Sequence, residues 1–215
     1  MHGTFQQSPF SRRYLIVNEV LNAVTHGIGF VLSVVGLIFL LIKANTIGQT
    51  IAYTIYGITL MILYLSSTLF HSLIFTRAKS VFQVFDHCSI YLLIAGSYTP
   101  YCLIALHNTL GYVLCAVIWA LAIFGVIFKS IAGNKFNHLT TVIYVLMGWG
   151  CLVAMKPLYQ HLGPIGFWLL VAGGVAFTLG AVLYSFPRIK FIHVIWHLFV
   201  LLGTGFMYFS ILLFV

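Results

Sequence analysis

The chain has 215 residues, of which 62% are hydrophobic and 6% are charged. Soluble domains carry about 25% charged residues, so this composition excludes a soluble globular protein and predicts an all-α integral membrane protein. The net charge of +8 does not indicate nucleic acid as a partner, because the ten lysines and arginines are scattered singly or in pairs and form no basic run.

The apolar segments predict a domain of seven transmembrane helices, since a spanning helix needs about 20 mostly apolar residues. In chain order the predicted spans are residues 22–42, 50–72, 84–106, 110–130, 138–156, 164–185 and 193–214. The segments between them are short, so consecutive helices are expected to run antiparallel. Residues 1–21 form a predicted cytoplasmic N-terminal segment, with a short interfacial helix as one option, and residues 22–215 form the transmembrane domain.

The lysines and arginines predict the orientation of these helices, because basic residues accumulate on the cytoplasmic side of a membrane. Eight of them fall on the side of the N-terminus and two on the opposite side. The first group is Arg12, Arg13, Arg77, Lys79, Lys129, Lys135, Arg188 and Lys190, and the second is Lys43 and Lys156. The N-terminus is therefore predicted in the cytoplasm and the C-terminus outside.

Polar residues on three predicted helices fall at a similar depth near the cytoplasmic side. Ser67 and His71 lie near the end of the second helix, and Asp86 lies in the first turns of the third. His193 and His197 lie at the start of the seventh helix. With a rise of about 1.5 Å per residue, these groups lie roughly 10 Å inside the flanking basic residues. Because a membrane-embedded acid costs about 2.5–3.5 kcal/mol on insertion scales and usually marks function, Asp86 indicates a functional site.

The spacing of the histidines predicts a metal site. His193 and His197 are four residues apart, so both rings project from one helical face, and His71 is the candidate third ligand. Three neutral imidazoles with one open position form a common catalytic zinc site. Ser67 shares a helical face with His71 and is expected to hold a hydrogen bond beside the metal. The alternative is that the histidines form hydrogen bonds between helices without a metal.

Four segments of the chain carry a resemblance to a known family. They are Glu19-x-x-Asn22-x-x-Thr25-His26, SSTLFH at 66–71, FDHCSIYLLIAGSYTPY at 85–101 and HVIWH at 193–197. In this order they resemble the hemolysin III-like bacterial branch of the progestin and adiponectin receptor family. The resemblance implies a multi-pass protein of the bacterial inner membrane, with a cytoplasmic N-terminus. It also implies a zinc ion held by His71, His193 and His197, with Asp86 near the zinc-bound water.

The leading functional hypothesis is a zinc-dependent membrane hydrolase that acts on a lipid amide or ester near the cytoplasmic face. Zinc polarises a carbonyl and lowers the pKa of bound water toward about 7. Asp86 is the candidate catalytic residue for proton transfer, and Ser67 is assigned to the same catalytic group. A membrane lipid is the expected substrate or ligand. The alternatives are a non-catalytic zinc-containing regulator or sensor of lipid state, and a hemolysin-like pore former.

Several further residues are singled out by their positions. Glu19, Asn22 and His26 share one side of the first helix, where they form either a cap over the cytoplasmic mouth or an interfacial helix end. His87 points about 100° away from Asp86 around the helix and is expected to pack or to support the site. Three glycines of the sixth helix predict close helix contacts; they are Gly173, Gly174 and Gly180.

Overall fold

The computed structural model describes residues 11–133, 135–186 and 189–215, apart from the side chains at positions 137 and 138. These residues form helices joined by short connections, and no β-strand occurs among them. The α-helices are α1 (Arg12–Lys43), α2 (Ile47–Ser72), α3 (Lys79–Pro100), α4 (Thr109–Ala132), α5 (Asn137–Gly148), α6 (Met155–Tyr184) and α7 (Ile192–Phe214). A π-helical segment, Tyr101–Leu106, extends α3, and a 3₁₀ segment, Trp149–Ala154, joins α5 to α6. The predicted all-α fold is confirmed for this part of the chain.

Within the described residues, six helical stretches are long and apolar enough to cross a membrane. The fifth and sixth predicted spans fall together in one of these stretches, Leu139–Tyr184, which has 46 residues. Gly163 interrupts it with a non-helical backbone (φ 65°, ψ 178°), and Pro164 suits the first turn of the helix that follows. A break therefore occurs between the fifth and sixth predicted spans, but it is limited to Gly163 and does not form the longer connection that the sequence predicted.

Local side-chain chemistry fixes where several helices begin and end. Thr46 Oγ1 accepts a hydrogen bond from the backbone N–H of Gln49 at 3.2 Å, and Asn108 Oδ1 accepts one from Gly111 at 2.9 Å. Such caps satisfy N–H groups that have no partner within the first turn of a helix. α4 ends at Ala132 and is followed by Gly133, whose φ of 57° is accessible to glycine without steric cost.

The first helix begins earlier than the predicted first span. α1 begins at Arg12, so residues 12–21 of the predicted N-terminal segment continue directly into the span as one helix. Residues 1–10 of that segment, and Arg188 of the predicted cytoplasmic group, lie outside the described residues. The division of the chain at residue 21 stays a prediction.

The helices pack into a bundle with an apolar exterior. Val31, Phe124 and Ile165, on three different helices, are 60%, 66% and 67% exposed, whereas several histidines and an aspartate are buried. This is the reverse of the distribution in a soluble protein, and it matches a surface that faces lipid. α1, α2 and α3 pack in sequence, α7 packs against both α6 and α1, and α5 packs only lightly on its neighbours.

Two of the three glycines predicted to allow close packing do so. A Cβ atom at Gly173 would lie 2.8 Å from Met207 Cγ, and one at Gly180 would lie 2.7 Å from Phe199 Cβ. At Gly174 the nearest atom would be 3.6 Å away, which is an ordinary contact. The absence of side chains at Gly173 and Gly180 therefore lets α7 approach α6 closely.

Candidate metal centre

The ends of two helices bring three histidine rings together. His71 lies in the last turn of α2, and His193 and His197 lie in the first two turns of α7. The three ring centroids are 4.8, 4.9 and 4.7 Å apart, which makes a nearly equilateral triangle. One ring nitrogen of each histidine lies within 4.8 Å of the corresponding nitrogens of the other two. This arrangement could hold a single metal ion at its centre.

The hydrogen bonds of two rings leave a second nitrogen of each free for a metal. His71 Nδ1 lies 2.6 Å from Glu19 Oε2, and His197 Nδ1 lies 3.2 Å from the carbonyl oxygen of Asn22. Carboxylate and carbonyl oxygens accept hydrogen bonds, so both Nδ1 atoms donate, and in the neutral rings both Nε2 atoms keep a lone pair. Among the described residues, the buried Nε2 of His71 has no hydrogen-bond partner. A bound metal ion would be the missing partner of this nitrogen, so the residues present fit a metal ion.

The start of α7 is positioned by a contact with α1. Phe191 precedes the helix with a φ of 57°, and its backbone N–H donates to Tyr14 Oη at 2.8 Å. A positive φ is unusual for a bulky residue and requires support from its surroundings. This bond lies two residues before His193. The half-buried His193 ring also lies against the ring of Tyr184, with centroids 5.2 Å apart.

Asp86 and Ser67 lie in the same cavity as the histidines. Asp86 is 9% exposed and Ser67 is 1% exposed, and both line the cavity that His193 and His197 also line. Ser67 Oγ is buried without a hydrogen-bond partner among the described residues. A carboxylate and a hydroxyl therefore line the same cavity as two of the three rings, where they could contact a water molecule or a substrate.

Sequence reasoning left the roles of three α1 residues open, and the structure brings all of them to the histidines. Glu19 contacts His71, and the Asn22 carbonyl contacts His197. The His26 ring stacks on His197, with centroids 3.5 Å apart and an interplanar angle of 8°. Parallel stacked rings do not direct their nitrogens toward one point, so His26 is a neighbour of the three rings and not a fourth member. The spacing of these residues along one side of α1 was the signal in the sequence.

Two other polar residues line the cavity at the same end. His87 lines the cavity. Its backbone carbonyl accepts a hydrogen bond from Tyr144 Oη at 2.7 Å. Lys129 was counted among the basic residues of the cytoplasmic side, and it lies in the last turn of α4, which continues to Ala132. The Lys129 side chain is 2% exposed and lines the cavity, since its long apolar stem can lie along the bundle interior.

The cavity extends from the histidines to the opposite end of the bundle. It contains about 1850 Å³ of space outside protein atoms, its open parts included. Away from the histidines its lining is mainly apolar, and includes Leu106, Leu114, Leu158, Phe167, Leu170 and Met207. Such a cavity suits a molecule with a polar group at one end and an apolar chain at the other.

Comparisons with known proteins cover all the helices that carry these residues. A family model described as haemolysin-III related matches residues 14–208. The chain is 46% identical over 203 residues to hemolysin-3 of Bacillus cereus, an alignment that covers 93% of each chain. It is 43% identical over 202 residues to a hemolysin-3 homolog of Bacillus subtilis (strain 168), with 93% of this chain and 95% of the relative covered. It is also 28% identical to the human monocyte to macrophage differentiation factor, over 95% of this chain and 88% of that protein.

Proposed function

The chain belongs to the haemolysin-III related family, and we propose that it is a zinc-dependent membrane hydrolase acting on a lipid amide or ester. The family resemblance predicted from four sequence segments is confirmed, and the protein is a multi-pass membrane protein. The observation that carries the proposal is the triangle of three histidine rings at the polar end of a largely apolar cavity, beside a buried aspartate.

The residues that would hold the metal are His71, His193 and His197. Three neutral imidazoles with one open position are a common ligand set for catalytic zinc, although histidines also accept other divalent metals. When bound, zinc supplies the Lewis acidity that polarises a substrate carbonyl and favours ionisation of water. The family resemblance and the all-histidine ligand set together favour zinc.

The proton transfers of the proposed reaction are assigned to Asp86. Its carboxylate would accept a proton from the attacking water and pass it to the leaving amine or alcohol. Among the described residues, the only other acid is Glu19, which is already bonded to His71. Ser67 Oγ would donate a hydrogen bond to the Asp86 carboxylate or to the substrate, which would keep these groups oriented.

The apolar part of the cavity would bind the hydrocarbon chain of the substrate. A chain lying along Leu158, Phe167 and Leu170 would place a carbonyl group at the other end, near the histidines. Burial of the chain would also exclude bulk water from the reacting bond, which strengthens the electrostatic interactions around it. A membrane lipid has both required parts, a long apolar chain and a polar linkage near one end.

We also propose the finer topology of seven crossings, with a cytoplasmic N-terminus, an external C-terminus and a location in the bacterial inner membrane. The fifth crossing would consist of α5, the 3₁₀ segment and the part of α6 that precedes Gly163. Basic residues at the starts of α1 and α3 support this orientation. Reporter fusions at the C-terminus test it, since an external reporter supports the proposal and a cytoplasmic one contradicts it.

The proposed activity is tested by comparing wild-type protein with the Asp86→Asn variant. Both proteins would be purified in detergent, loaded with zinc and incubated with lipid amides and esters of several chain lengths. We expect the wild-type protein to release a fatty acid from at least one substrate and Asp86→Asn to bind zinc with little turnover. Equal activity in the two proteins would remove Asp86 from the mechanism, and no release from any substrate would contradict the hydrolase proposal.

The same preparations distinguish the alternatives. A non-catalytic regulator, in which the metal only fastens helices together, predicts that a chelator unfolds the protein, whereas the hydrolase proposal predicts a folded, inactive protein. A pore former predicts leakage of dye from liposomes that contain the protein. The mainly apolar lining of the cavity favours a lipid chain over a path for ions.

A further inference from the structure

The acid on α1 is in direct contact with a candidate metal ligand. Glu19 Oε2 lies 2.6 Å from His71 Nδ1, and the other carboxylate oxygen, Oε1, accepts a hydrogen bond from Asn18 Nδ2 at 3.1 Å. The Glu19 side chain is 19% exposed and the His71 side chain 3%. Both oxygens of this carboxylate are therefore engaged in a partly buried position, with one of them directed at the imidazole.

We propose that Glu19 is a positioning residue of the metal centre, which holds the His71 ring with Nε2 directed toward the metal. The inference rests on the proposed metal site. A carboxylate accepts a hydrogen bond from an N–H group, so Glu19 selects the tautomer of His71 in which Nδ1 carries the hydrogen and Nε2 carries the lone pair. A carboxylate on the far nitrogen of a metal-bound histidine also raises the basicity of the ligating nitrogen.

The neighbouring residues of α1 support the second histidine in the same way. The Asn22 carbonyl accepts a hydrogen bond from His197 Nδ1, and Thr25 Oγ1 lies 3.3 Å from the same nitrogen. The His26 ring covers one face of the His197 ring. Two of the three candidate ligands are thus oriented by one face of α1, over about two helical turns.

The buried stripe of α1 explains why this helix suits a positioning role. Its buried residues recur at intervals of three and four; they are Asn22, His26, Gly29, Ser33, Gly36 and Leu40. Only Leu40 is a large apolar residue, so α1 contributes polar contacts and close approach more than apolar packing. A Cβ at Gly29, for example, would lie 2.6 Å from the Tyr64 ring. Close approach of α1 to α2 brings the short Glu19 side chain within reach of His71.

A competing explanation is that the Glu19–His71 contact only ties α1 to α2. The two explanations differ in what the contact affects. A tie between helices stabilises the protein with or without metal and leaves metal affinity unchanged. A positioning contact changes metal affinity, because loss of a carboxylate behind a metal-bound histidine typically weakens metal binding about 10–100-fold.

The experiment compares wild-type protein with the Glu19→Gln and Glu19→Ala variants. Zinc affinity would be measured in detergent by competition with a chromogenic chelator, and the melting temperature would be measured for the zinc-free and the zinc-loaded forms. Glu19→Gln is expected to bind zinc about 10-fold more weakly and Glu19→Ala up to about 100-fold more weakly. The zinc-free forms are expected to melt close to zinc-free wild-type protein. The control is Ser33→Ala, on the same buried stripe, which should bind zinc as wild type does. Among the described residues, the Ser33 hydroxyl bonds only to the Phe30 carbonyl.

Each outcome decides one question. Unchanged zinc affinity in both Glu19 variants, with stoichiometric binding in wild-type protein, overturns the positioning role and leaves the proposed metal site intact. If the Glu19 variants lower the melting temperature of the zinc-free and zinc-loaded forms equally, without a change in zinc affinity, Glu19 belongs to helix packing. The same conclusion follows if both variants fail to fold. Absence of zinc binding in wild-type protein overturns the metal site itself, and the role of Glu19 with it.

Discussion

The two ends of the helix bundle differ in the side chains that face its interior. At one end, where α2 ends and α3 and α7 begin, the buried residues include His71, Asp86 and His197. At the other end the interior is filled mainly by apolar side chains, such as Leu114, Leu158 and Leu162. Both ends line one continuous cavity.

The two ends also differ in how their polar atoms are bonded. At the apolar end, Ser210 Oγ donates to the Gly166 carbonyl at 2.8 Å and Lys43 Nζ donates to the Ile211 carbonyl at 3.3 Å. At the polar end, buried atoms of Asn22, Ser67 and His71 have no hydrogen-bond partner among the described residues. Three tyrosine hydroxyls elsewhere in the interior share this property, and one of them, on Tyr53, lies near the apolar end; the three are Tyr53, Tyr56 and Tyr91.

This difference indicates that the residues that bind a ligand lie at the polar end of the bundle, whereas the apolar end mainly stabilises the fold. Unpaired polar groups inside a membrane protein each cost free energy, typically several kcal/mol in a lipid environment. A cluster of them at one end is explained if a ligand completes their bonds, as the proposed metal and substrate would. The apolar end contributes packing instead, so changes at the two ends should affect different measurements.

The largest expected effect comes from removing a metal ligand at the polar end. His197→Ala should weaken zinc binding by more than about 100-fold, since loss of a ligand exceeds the loss of an outer partner, and it should reduce turnover to background. The loss of zinc binding is measured by the zinc content after purification and by competition with a chelator. His161→Ala, at an exposed histidine near the apolar end, is the control. Retention of full zinc content by His197→Ala would separate this residue from the metal.

A large effect on turnover alone is expected from Asp86→Asn. The amide keeps the size of the side chain but cannot accept the proton, so turnover should fall about 10²–10⁴-fold while zinc content stays at the wild-type level. Rates of fatty acid release at saturating lipid, together with zinc content, measure the two quantities. Parallel loss of zinc and turnover would instead assign Asp86 to the ligand set.

At the apolar end, Leu158→Ala should lower stability and leave the metal site unchanged. Leu158 is 2% exposed, and truncation of a buried leucine costs about 2–5 kcal/mol through lost contacts and the cavity left behind. The melting temperature in detergent and the zinc affinity would be measured together. Ile165→Ala, at a residue of the same helix that is 67% exposed, should change neither. A fall in zinc affinity in Leu158→Ala would show that the two ends are coupled.

The smallest expected effect comes from Ser67→Ala. A hydrogen bond to a charged group contributes about 1.5–3 kcal/mol, so turnover should fall roughly 10–100-fold, with zinc content and melting temperature near wild type. Steady-state rates on the best lipid substrate measure this effect. If turnover is unchanged, Ser67 belongs to the packing of the polar end and not to its chemistry.

Much of the fold could be predicted from apolar segment lengths alone. Each predicted span lies within or largely overlaps a helical stretch, because about 20 apolar residues suffice to specify a spanning helix. The connection near Gly163 could not be predicted, since Gly and Pro indicate a break in a helix but not how many residues leave it. The position of Lys129 was missed for a related reason, because charge alone does not distinguish a loop residue from one whose stem lies inside the bundle.

The sequence could predict the depth of the site residues in the membrane, but not how each helix is rotated about its own axis. Helix counting placed His71, Asp86 and His197 at one level. In the structure Asp86 and His197 line one cavity, and the His71 ring lies against the His197 ring. The contact between Glu19 and His71 was not predicted, because it depends on how α1 is rotated and how closely it approaches α2. Small residues such as Gly29 determine that approach, and their effect appears only when both helices are present.

The central claim is that three histidines from α2 and α7 hold one zinc ion, and X-ray absorption at the zinc edge of the purified protein tests it most directly. The account predicts one zinc per chain, with scattering from three imidazole rings whose nitrogens lie about 2.0–2.1 Å from the metal. The same spectrum from His197→Ala should lose the signal or show fewer imidazoles. A wild-type protein without stoichiometric metal, or with zinc that shows no imidazole scattering, would contradict the account.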